Sequence, residues 1–316
     1  MLETQSRSIR EYFKSEEMIK RTLFFGNPAY LSTRNEQLVV NFPEGDTDEK
    51  SIPIEDLGYV VLEHPQITIT NGLLMKLLQN KTAVITCDKQ HLPNGFLQPL
   101  VGHSEQTERI RQQLNASVPL KKQLWQQTVT AKVANQAKHL LKQGKNAMKL
   151  KRWAHEVRSG DVGNIEAIAA AYYFQNLFDE VEGFSRNQKG VAPNNLLNYG
   201  YAILRAITAR ALLSSGLLPS VGIFHSNKYN AFCLADDVME PYRPFVDALV
   251  YHIVESGYST EDIDKKIKSE LLLIPAMDVI IDGKQSPLMV AMSRTTNSLY
   301  ECFAGVSRRV LYPEFV

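Results

Sequence analysis

The sequence is poor in cysteine and contains no long apolar run. Its three cysteines, Cys87, Cys233 and Cys302, lie far apart and form no CxxC pair. This spacing argues against a disulfide framework or a cysteine zinc knuckle and fits a reducing cytoplasm. The apolar run at residues 271–277 is short, whereas a membrane-spanning helix needs about 20 residues. Residues 1–17 hold no apolar stretch typical of a secretory signal, and we interpret them as an extension, natural or left by cloning.

Several common catalytic motifs are also missing. The chain contains no GxxxxGK(S/T) or GxGxxG phosphate-binding loop, no GxSxG nucleophile motif and no HExxH zinc motif. Nucleotide binding through such loops and the matching classes of hydrolase are therefore not expected. Hydrophobic residues make up 44% of the chain and charged residues 22%, which is ordinary for a folded protein and excludes a disordered or fibrous chain.

Charge is distributed unevenly along the chain, although 35 basic and 34 acidic residues leave a net charge of only +1. Residues 109–158 carry twelve Lys and Arg residues and a single acid, Glu156, a net charge of +11. Such a one-sided segment is typical of a surface that binds a polyanion. The alternative is a helical face whose lysines are only solvated.

The N-terminal part of the sequence is typical of a β domain. Residues 29–33 and 37–41 are rich in strand-forming residues and flank a short polar turn, a pattern that predicts a hairpin. Further β-rich stretches follow, and they end in a cluster of Pro, Gly and Asn residues that indicates a linker. We therefore predict a small β-sandwich-like domain over residues 18–95 and a linker over residues 96–104.

Helical spacing dominates the rest of the sequence. Residues 195–215 are apolar nearly all round, which predicts a buried central helix. A short apolar stretch at 279–281 is followed by Asp282 and Gly283, a pair that favours a tight turn. Because the strands precede the helices instead of alternating with them, we predict an α+β fold in which residues 105–316 form a larger all-α domain.

The segment 160–174 is the first candidate for chemistry. Asp161 can cap a helix, because a side-chain oxygen at this position can accept a free backbone N–H. Glu166 then lies in the early turns of that helix, and Ala169 and Ala170 share its face, which leaves room for a ligand beside the carboxylate. The alternative is that Glu166 is only a helix-forming residue in an alanine-rich helix.

Residues 222–244 are the second candidate because they combine one histidine with three acids. His225, Asp236, Asp237 and Glu240 supply an imidazole and carboxylates, a set that suits Mg²⁺ or Mn²⁺ and that Zn²⁺ also tolerates. The alternatives are a histidine satisfied within the core and acids that cap helices. Residue types alone do not choose among the three acids.

These segments resemble motifs of the CRISPR-associated adaptation integrase family, the larger subunit of the spacer-acquisition complex. The resemblance covers about residues 18–312 and is closest to the type II variant; the sequence departs from the family at Ala231 and Cys233, where Pro and Asn are common. The strings that carry it are NIEA at 164–167, YFQNLF at 173–178, LNYGYAIL at 197–204, SGLLP at 215–219 and LADDVMEPYRP at 234–244.

The resemblance implies a fold and a metal site. It implies an N-terminal β domain that dimerises and a C-terminal α-helical domain that holds one metal ion, Mg²⁺ or Mn²⁺. By motif match, the metal ligands are Glu166, His225 and Glu240. Residues implied to surround these ligands or to contact DNA beside them are Asp236, Asp237, Asn227, Lys228 and Arg243.

The function that the resemblance implies is that of a metal-dependent DNA integrase and endonuclease. Such a protein inserts short DNA fragments, the new spacers, into a CRISPR repeat array by attack of a 3′-OH on a phosphodiester. The implied partners are double-stranded DNA (prespacer and repeat array), a second copy of the chain and a small adaptation partner protein. Membrane binding is not implied. The basic segment would then contact DNA phosphates through Lys132, Lys138, Lys142, Lys145, Lys149, Lys151 and Arg152.

Two other functions compete with the integrase. The chain could be a DNA-binding scaffold of the same kind of complex, in which the acids and His225 are structural. It could also be a zinc hydrolase of a small molecule, but that function leaves the charge of residues 109–158 unexplained.

Overall fold

The computed structural model describes residues 20–43, 49–89, 93–97, 99 and 101–315. The extension that we interpreted at residues 1–17 lies outside these ranges. The described residues divide into two compact units, one that ends at Gly102 and one that begins at His103. None of the described helices is both long enough and apolar enough to cross a membrane.

The described part of the N-terminal unit contains two four-stranded sheets and one α-helix. The elements are β1 (Arg21–Phe25), β2 (Ala29–Arg34), β3 (Gln37–Asn41), β4 (Lys50–Pro53), β5 (Leu57–Leu62), β6 (Ile67–Ile69), α1 (Asn71–Gln79), β7 (Ala83–Cys87) and β8 (Pro93–Leu97). One sheet has the order β1-β5-β7-β8, with β8 antiparallel to β7 and the other neighbours parallel. The second has the order β4-β3-β2-β6, in which only β2 and β6 are parallel.

The predicted hairpin is confirmed as the antiparallel pair β2–β3. Asn35 and Glu36 link the two strands with φ angles of 50° and 58°, and a positive φ at both residues is typical of the two-residue turn whose twist suits a hairpin. One apolar cluster contains residues from both sheets and from α1, including Leu31, Val60 and Leu73. A shared core of this kind is what makes a two-sheet unit stable.

The predicted linker begins too early, because strand β8 extends to Leu97. Phe96 pairs with Ile85 of β7, and β8 is an edge strand of its sheet. Proline and glycine are tolerated at a sheet edge, since an edge strand leaves some backbone N–H groups without a ladder partner. The cluster of Pro, Gly and Asn that suggested a linker therefore marks an edge strand.

The described C-terminal unit is mainly helical, but the expectation of an all-α domain is wrong, because a three-stranded sheet accompanies the helices. The elements are α2 (Gln106–Leu114), α3 (Val118–Lys142), α4 (Met148–Glu156), α5 (Ile165–Leu177), α6 (Asn194–Ser214), α7 (Cys233–Met239), α8 (Arg243–Glu255), α9 (Lys265–Leu271), β9 (Asp278–Ile281), β10 (Lys284–Pro287), α10 (Leu288–Phe303) and β11 (Pro313–Glu314). The sheet has the order β10-β9-β11. The predicted turn at Asp282 and Gly283 joins β9 to β10, with φ angles of 52° and 71°.

Two long helices organise this unit. Helix α6 is the predicted central helix: most of its residues are buried, and a Cβ atom at Gly200 would lie only 2.5 Å from Val246 of α8, so the two helices pack closely. Helix α3 has 25 residues, which corresponds to roughly 37 Å. It contacts α4, α5, α7 and α8, so its side chains can reach several elements at once.

Candidate metal centre

Glu166 is positioned by a local cap. Helix α5 begins at Ile165, and the carboxylate of Asp161 accepts the backbone N–H groups of Ile165 and Glu166 at 2.9 and 3.0 Å. The prediction that Asp161 caps this helix is therefore confirmed. The cap satisfies two N–H groups that have no partner within the helix, and it fixes the first turn from which the Glu166 side chain, 24% exposed, projects.

The carboxylates of Glu166 and Glu240 both form ion pairs with the ammonium group of Lys132, a residue of helix α3. Glu240 directly follows α7 and is buried, with 4% of its surface exposed. The Nζ atom of Lys132 lies 2.7 Å from Oε1 of Glu166 and 2.5 Å from Oε2 of Glu240. Two of the predicted metal ligands, from different elements, therefore direct their carboxylates at the same point.

The electrostatics of this cluster favour charged groups in spite of their burial. Burial alone lowers the pKa of Lys132, but the negative charges of Glu240 and Glu166 outweigh it and raise that pKa. Burial raises the pKa of Glu240, yet the positive charges of Arg243 and Lys132 lower it overall. Arg243 contributes through its Nε atom, 2.9 Å from Oε1 of Glu240. Each oxygen of the Glu240 carboxylate thus faces a cation.

His225 is held by a buried carboxylate. Its Nδ1 atom donates to Oδ1 of Asp237 at 2.5 Å, and the side chain of Asp237 is fully buried. Asp237 also accepts the backbone N–H groups of Ile223, Phe224 and His225, at 2.8, 2.9 and 3.3 Å. A Cβ atom at Gly222 would lie 2.2 Å from the carbonyl oxygen of His225, so this tight loop requires glycine there.

The Asp237 contact also sets the protonation of His225. The hydrogen bond to Asp237 raises the pKa of His225 more than burial lowers it, and the charges of Glu240 and Glu166 raise it further. Burial, in turn, raises the pKa of Asp237. The negative charges of both glutamates thus favour the protonated form of the imidazole.

Two stacked aromatic rings, those of Trp125 and Phe224, pack against the His225 imidazole. The rings of Trp125 and Phe224 are parallel, with centroids 4.3 Å apart, and the edge of the His225 ring meets Trp125 at 5.6 Å. Trp125 is buried in α3, whereas Phe224 is 49% exposed. Offset and edge-on ring contacts of this kind restrict the orientation of the rings, so helix α3 positions both His225 and the carboxylate pair.

The donor set fits a hard divalent cation. No three His, Cys, Asp or Glu side chains of the described ranges form a metal-binding group. The described contacts join Glu166 and Glu240 through the Lys132 ammonium and join His225 to Asp237. The Glu166 and Glu240 carboxylates nevertheless converge on a single positive atom. The Nδ1–H of His225 faces a carboxylate, which leaves Nε2 for an ion, the arrangement common in metal-ligating histidines. Carboxylate oxygens with one imidazole suit Mg²⁺ or Mn²⁺.

The other residues predicted near the metal divide into two groups. Asp237 and Arg243 contact the predicted ligands His225 and Glu240. In the described contacts, the remaining three do not reach those ligands. Asp236 pairs with Arg205 at 2.6 Å, Asn227 accepts the backbone N–H of Tyr229, and Lys228 lies over the Tyr229 ring at 4.8 Å.

Arg243 also connects the cluster to a buried polar network. Its guanidinium lies over the Tyr201 ring, 4.4 Å from the centroid, and the Tyr201 hydroxyl donates to Asp247 at 2.5 Å. Burial raises the pKa of Asp247 to about 7. This network helps to hold Arg243 against Glu240.

Two of the lysines predicted to bind DNA do not lie on an exposed surface. Lys132 is 6% exposed and pairs with the carboxylates of Glu166 and Glu240. The prediction that Lys132 contacts DNA phosphates is therefore wrong. The side chain of Lys145 is 15% exposed and donates to Asp179 and to the carbonyl oxygen of Leu177, at 2.6 and 3.0 Å. The exposed members of the set are Lys138, Lys142, Lys149, Lys151 and Arg152.

The contacts of Trp125 and Lys132 at this site were not predicted from the sequence, although one signal was available. Trp125, Val129 and Lys132 recur at helical spacing and therefore share a face of α3. Trp125 and Val129 are almost fully buried. A lysine on an apolar helix face is rarely buried without a partner, so its position alone indicated an internal ion pair.

Comparisons with known proteins agree on a family. Residues 23–277 match the family described as CRISPR associated protein Cas1. The chain is 38% identical to the CRISPR-associated endonuclease Cas1 of Neisseria meningitidis serogroup C (strain 8013), over 92% of this chain and 93% of that protein. The chain therefore belongs to the Cas1 family of CRISPR-associated endonucleases and integrases. This confirms the family that the motifs resemble, whereas the type II variant stays a prediction.

Solved structures share the fold. A casposase bound to integration product superposes with a TM-score of 0.75 at 18% identity, covering 92% of each chain. A chain of a Cas6-RT-Cas1–Cas2 complex gives a TM-score of 0.71 at 21% identity and covers 96% of this chain but 37% of that one. These likenesses confirm a mixed α+β fold with N-terminal strands and a mainly helical C-terminal part.

Proposed function

We propose that this chain is a divalent-metal-dependent DNA integrase that inserts new spacers into a CRISPR repeat array. The observations that carry the proposal are the convergence of Glu166 and Glu240 on one cation and the buried carboxylate of Asp237 that holds His225. In a member of the Cas1 family, this is the cluster in the described residues best suited to phosphodiester chemistry. The name of the Neisseria relative, an endonuclease, supports hydrolysis as a second reaction of the same site.

Glu166, His225 and Glu240 are the proposed ligands of Mg²⁺ or Mn²⁺. When bound, the ion would supply charge stabilisation at the scissile phosphodiester and a lower pKa for the attacking hydroxyl. The chain's own residues prepare that site: Asp237 orients the imidazole, Arg243 neutralises one oxygen of Glu240, and the Asp161 cap fixes the turn that carries Glu166. Such preorganisation lowers the reorganisation needed during reaction.

DNA is the proposed polyanion. The exposed residues Lys138, Lys142, Lys149, Lys151 and Arg152 lie near the C-terminal end of α3 and in α4, where they can contact phosphates of prespacer or repeat DNA without reading the sequence.

Binding two DNA duplexes at once requires more surface than one chain offers, so we propose a homodimer through the N-terminal β unit. A small adaptation partner protein would bridge this dimer. The Cas1–Cas2 complex among the structural neighbours supports such a partner. Three free cysteines support a reducing compartment, the cytoplasm.

The test is an integration assay with the chain, its partner protein, Mn²⁺ and a repeat-bearing plasmid. Short duplexes with 3′-OH ends should be joined to the plasmid, and duplexes with 3′-dideoxy ends should not, because the nucleophile is missing. Glu166→Gln should abolish joining, whereas the matched control Glu182→Gln, at an exposed position of the same unit, should retain it. Equal product from both kinds of end would contradict strand transfer.

A DNA-binding scaffold without catalysis is the second candidate function. It is favoured by one observation, the ion pairs that Lys132 makes with both glutamates, since these satisfy the carboxylates without a metal. Metal binding separates the two functions: a scaffold would bind DNA but not Mn²⁺ at the Glu166–Glu240 pair.

A further inference from the structure

Lys132 is the buried charged group that the proposed function does not yet use. We infer that Lys132 is the internal counter-ion of the candidate metal centre: its ammonium holds the Glu166 and Glu240 carboxylates together and competes with a divalent cation for the same oxygens. The inference rests on the proposed function, because it concerns the ligands that function requires.

Burial makes a counter-ion necessary. The side chains of Lys132 and Glu240 are 7% and 6% exposed, and Glu166 is 24% exposed. Two carboxylates directed at one point repel each other, and water cannot fully replace the missing solvation at so low an exposure. The ammonium at 2.5 and 2.7 Å from the two oxygens offsets that repulsion. Lys132 therefore keeps the ligand geometry in place while no metal is bound.

The Lys132 ammonium and a divalent cation would compete because both would bind the same carboxylate oxygens of Glu166 and Glu240. A divalent cation binds carboxylate oxygens at about 2.1 Å, so an ion on the oxygens that Lys132 contacts would lie within roughly 5 Å of its ammonium. Two cations at that separation repel each other strongly in a buried site. The ion can therefore take both carboxylates only as the ammonium withdraws, which the flexible four-carbon stem of lysine permits. Arg243 still neutralises the other oxygen of Glu240.

The exposed fraction of each group indicates how the exchange begins. Glu166 is the more accessible of the two carboxylates, so an arriving ion meets its oxygens before those of Glu240. Helix α3 fixes the backbone of Lys132 through its buried neighbours Trp125 and Val129. Withdrawal thus needs a change of side-chain rotamer and leaves the helix in place.

The test measures Mn²⁺ binding to the full chain by calorimetry and by the loss of the free Mn²⁺ electron paramagnetic resonance signal. Lys132→Met keeps an apolar stem and removes the competing charge, so it should bind Mn²⁺ about tenfold more tightly than the wild type, or better, given the coupling measured for close charge pairs. Without metal its melting temperature should fall, and added Mn²⁺ should raise it by more than in the wild type. Lys132→Gln is a second neutral variant in case Lys132→Met does not fold.

Two further variants serve as controls. Lys138→Met removes a lysine of the same helix whose exposed side chain pairs with Glu314, and it should leave Mn²⁺ affinity unchanged. Lys132→Arg keeps the charge and should not tighten binding. If the wild type binds Mn²⁺ and the neutral variants bind it equally or more weakly, the counter-ion inference is overturned while the metal site stands. If neither wild type nor neutral variants bind Mn²⁺, both the inference and the proposed metal-dependent function are overturned.

Discussion

The Nδ1 atom of His225 lies 2.5 Å from Oδ1 of Asp237, a carboxylate that is fully buried and also accepts three backbone N–H groups of the 223–225 loop. This contact fixes both the orientation of the imidazole and the ring nitrogen that is left for a ligand. A carboxylate behind a metal-binding histidine acts in the same way in many metalloproteins. The relationship makes Asp237 a positioning residue of the candidate site.

Replacing Asp237 should therefore weaken metal binding without removing a ligand. Asp237→Asn is expected to lower Mn²⁺ affinity about 10- to 100-fold, because the amide supports the imidazole less well. The matched control is Asp236→Asn, which breaks the pair with Arg205 but leaves His225 in place. Calorimetric titration of both variants checks the prediction, which fails if Asp237→Asn binds Mn²⁺ like the wild type or if Asp236→Asn loses as much affinity.

The two glutamates should differ in their effect on stability although both are needed for activity. Glu166→Ala and Glu240→Ala, like His225→Ala, should each abolish strand transfer. Glu240→Ala also leaves the buried Lys132 and the partly buried Arg243 without their shared carboxylate, so its free energy of unfolding should fall by about 3–5 kcal/mol. Glu166 is more exposed, and its replacement should cost less. Urea unfolding of the two variants measures the difference, and equal losses would mean that Glu240 is not the structural anchor.

DNA affinity should depend on the exposed lysines. Replacing Lys138, Lys142 and Lys149 together by Met should weaken binding similarly for all sequences. It should also flatten the dependence of log affinity on log salt by about 0.9 for each DNA phosphate that the variant no longer binds. Lys145→Met is the control, because Lys145 is tied to Asp179 and is mostly buried. An unchanged salt slope in the triple variant would identify these lysines as a merely solvated face.

Stability should fall with rising pH because of Asp247. Burial raises the pKa of this carboxyl to about 7, whereas its pKa in an unfolded chain is about 3.9. Between those values the folded chain retains a proton that the unfolded chain has lost, so the contribution of Asp247 to stability decreases as pH rises from about 4 to 7. The advantage of the wild type over Asp247→Asn should shrink across that interval. Thermal unfolding at several pH values checks it, and a constant difference would rule it out.

Local features of the site could be predicted from the sequence, but the contacts between elements could not. The Asp161 cap and the turn at Asp282 depend on neighbouring residues, and both are present. Lys132, Glu166 and Glu240 come from three separate elements, and only the packing of α3 against α5 and against the turn at residues 240–242 brings them together. The net charge of residues 109–158 counts every lysine alike, so it does not show that Lys132 is buried.

Anomalous diffraction at the manganese absorption edge, from crystals of the full chain soaked in Mn²⁺, tests the central claim most directly. The account predicts one strong peak per chain, bonded to Glu166, His225 and Glu240, with the Lys132 ammonium withdrawn from the position between the two carboxylates. Absence of a peak there, with Lys132 still bridging Glu166 and Glu240, would contradict it.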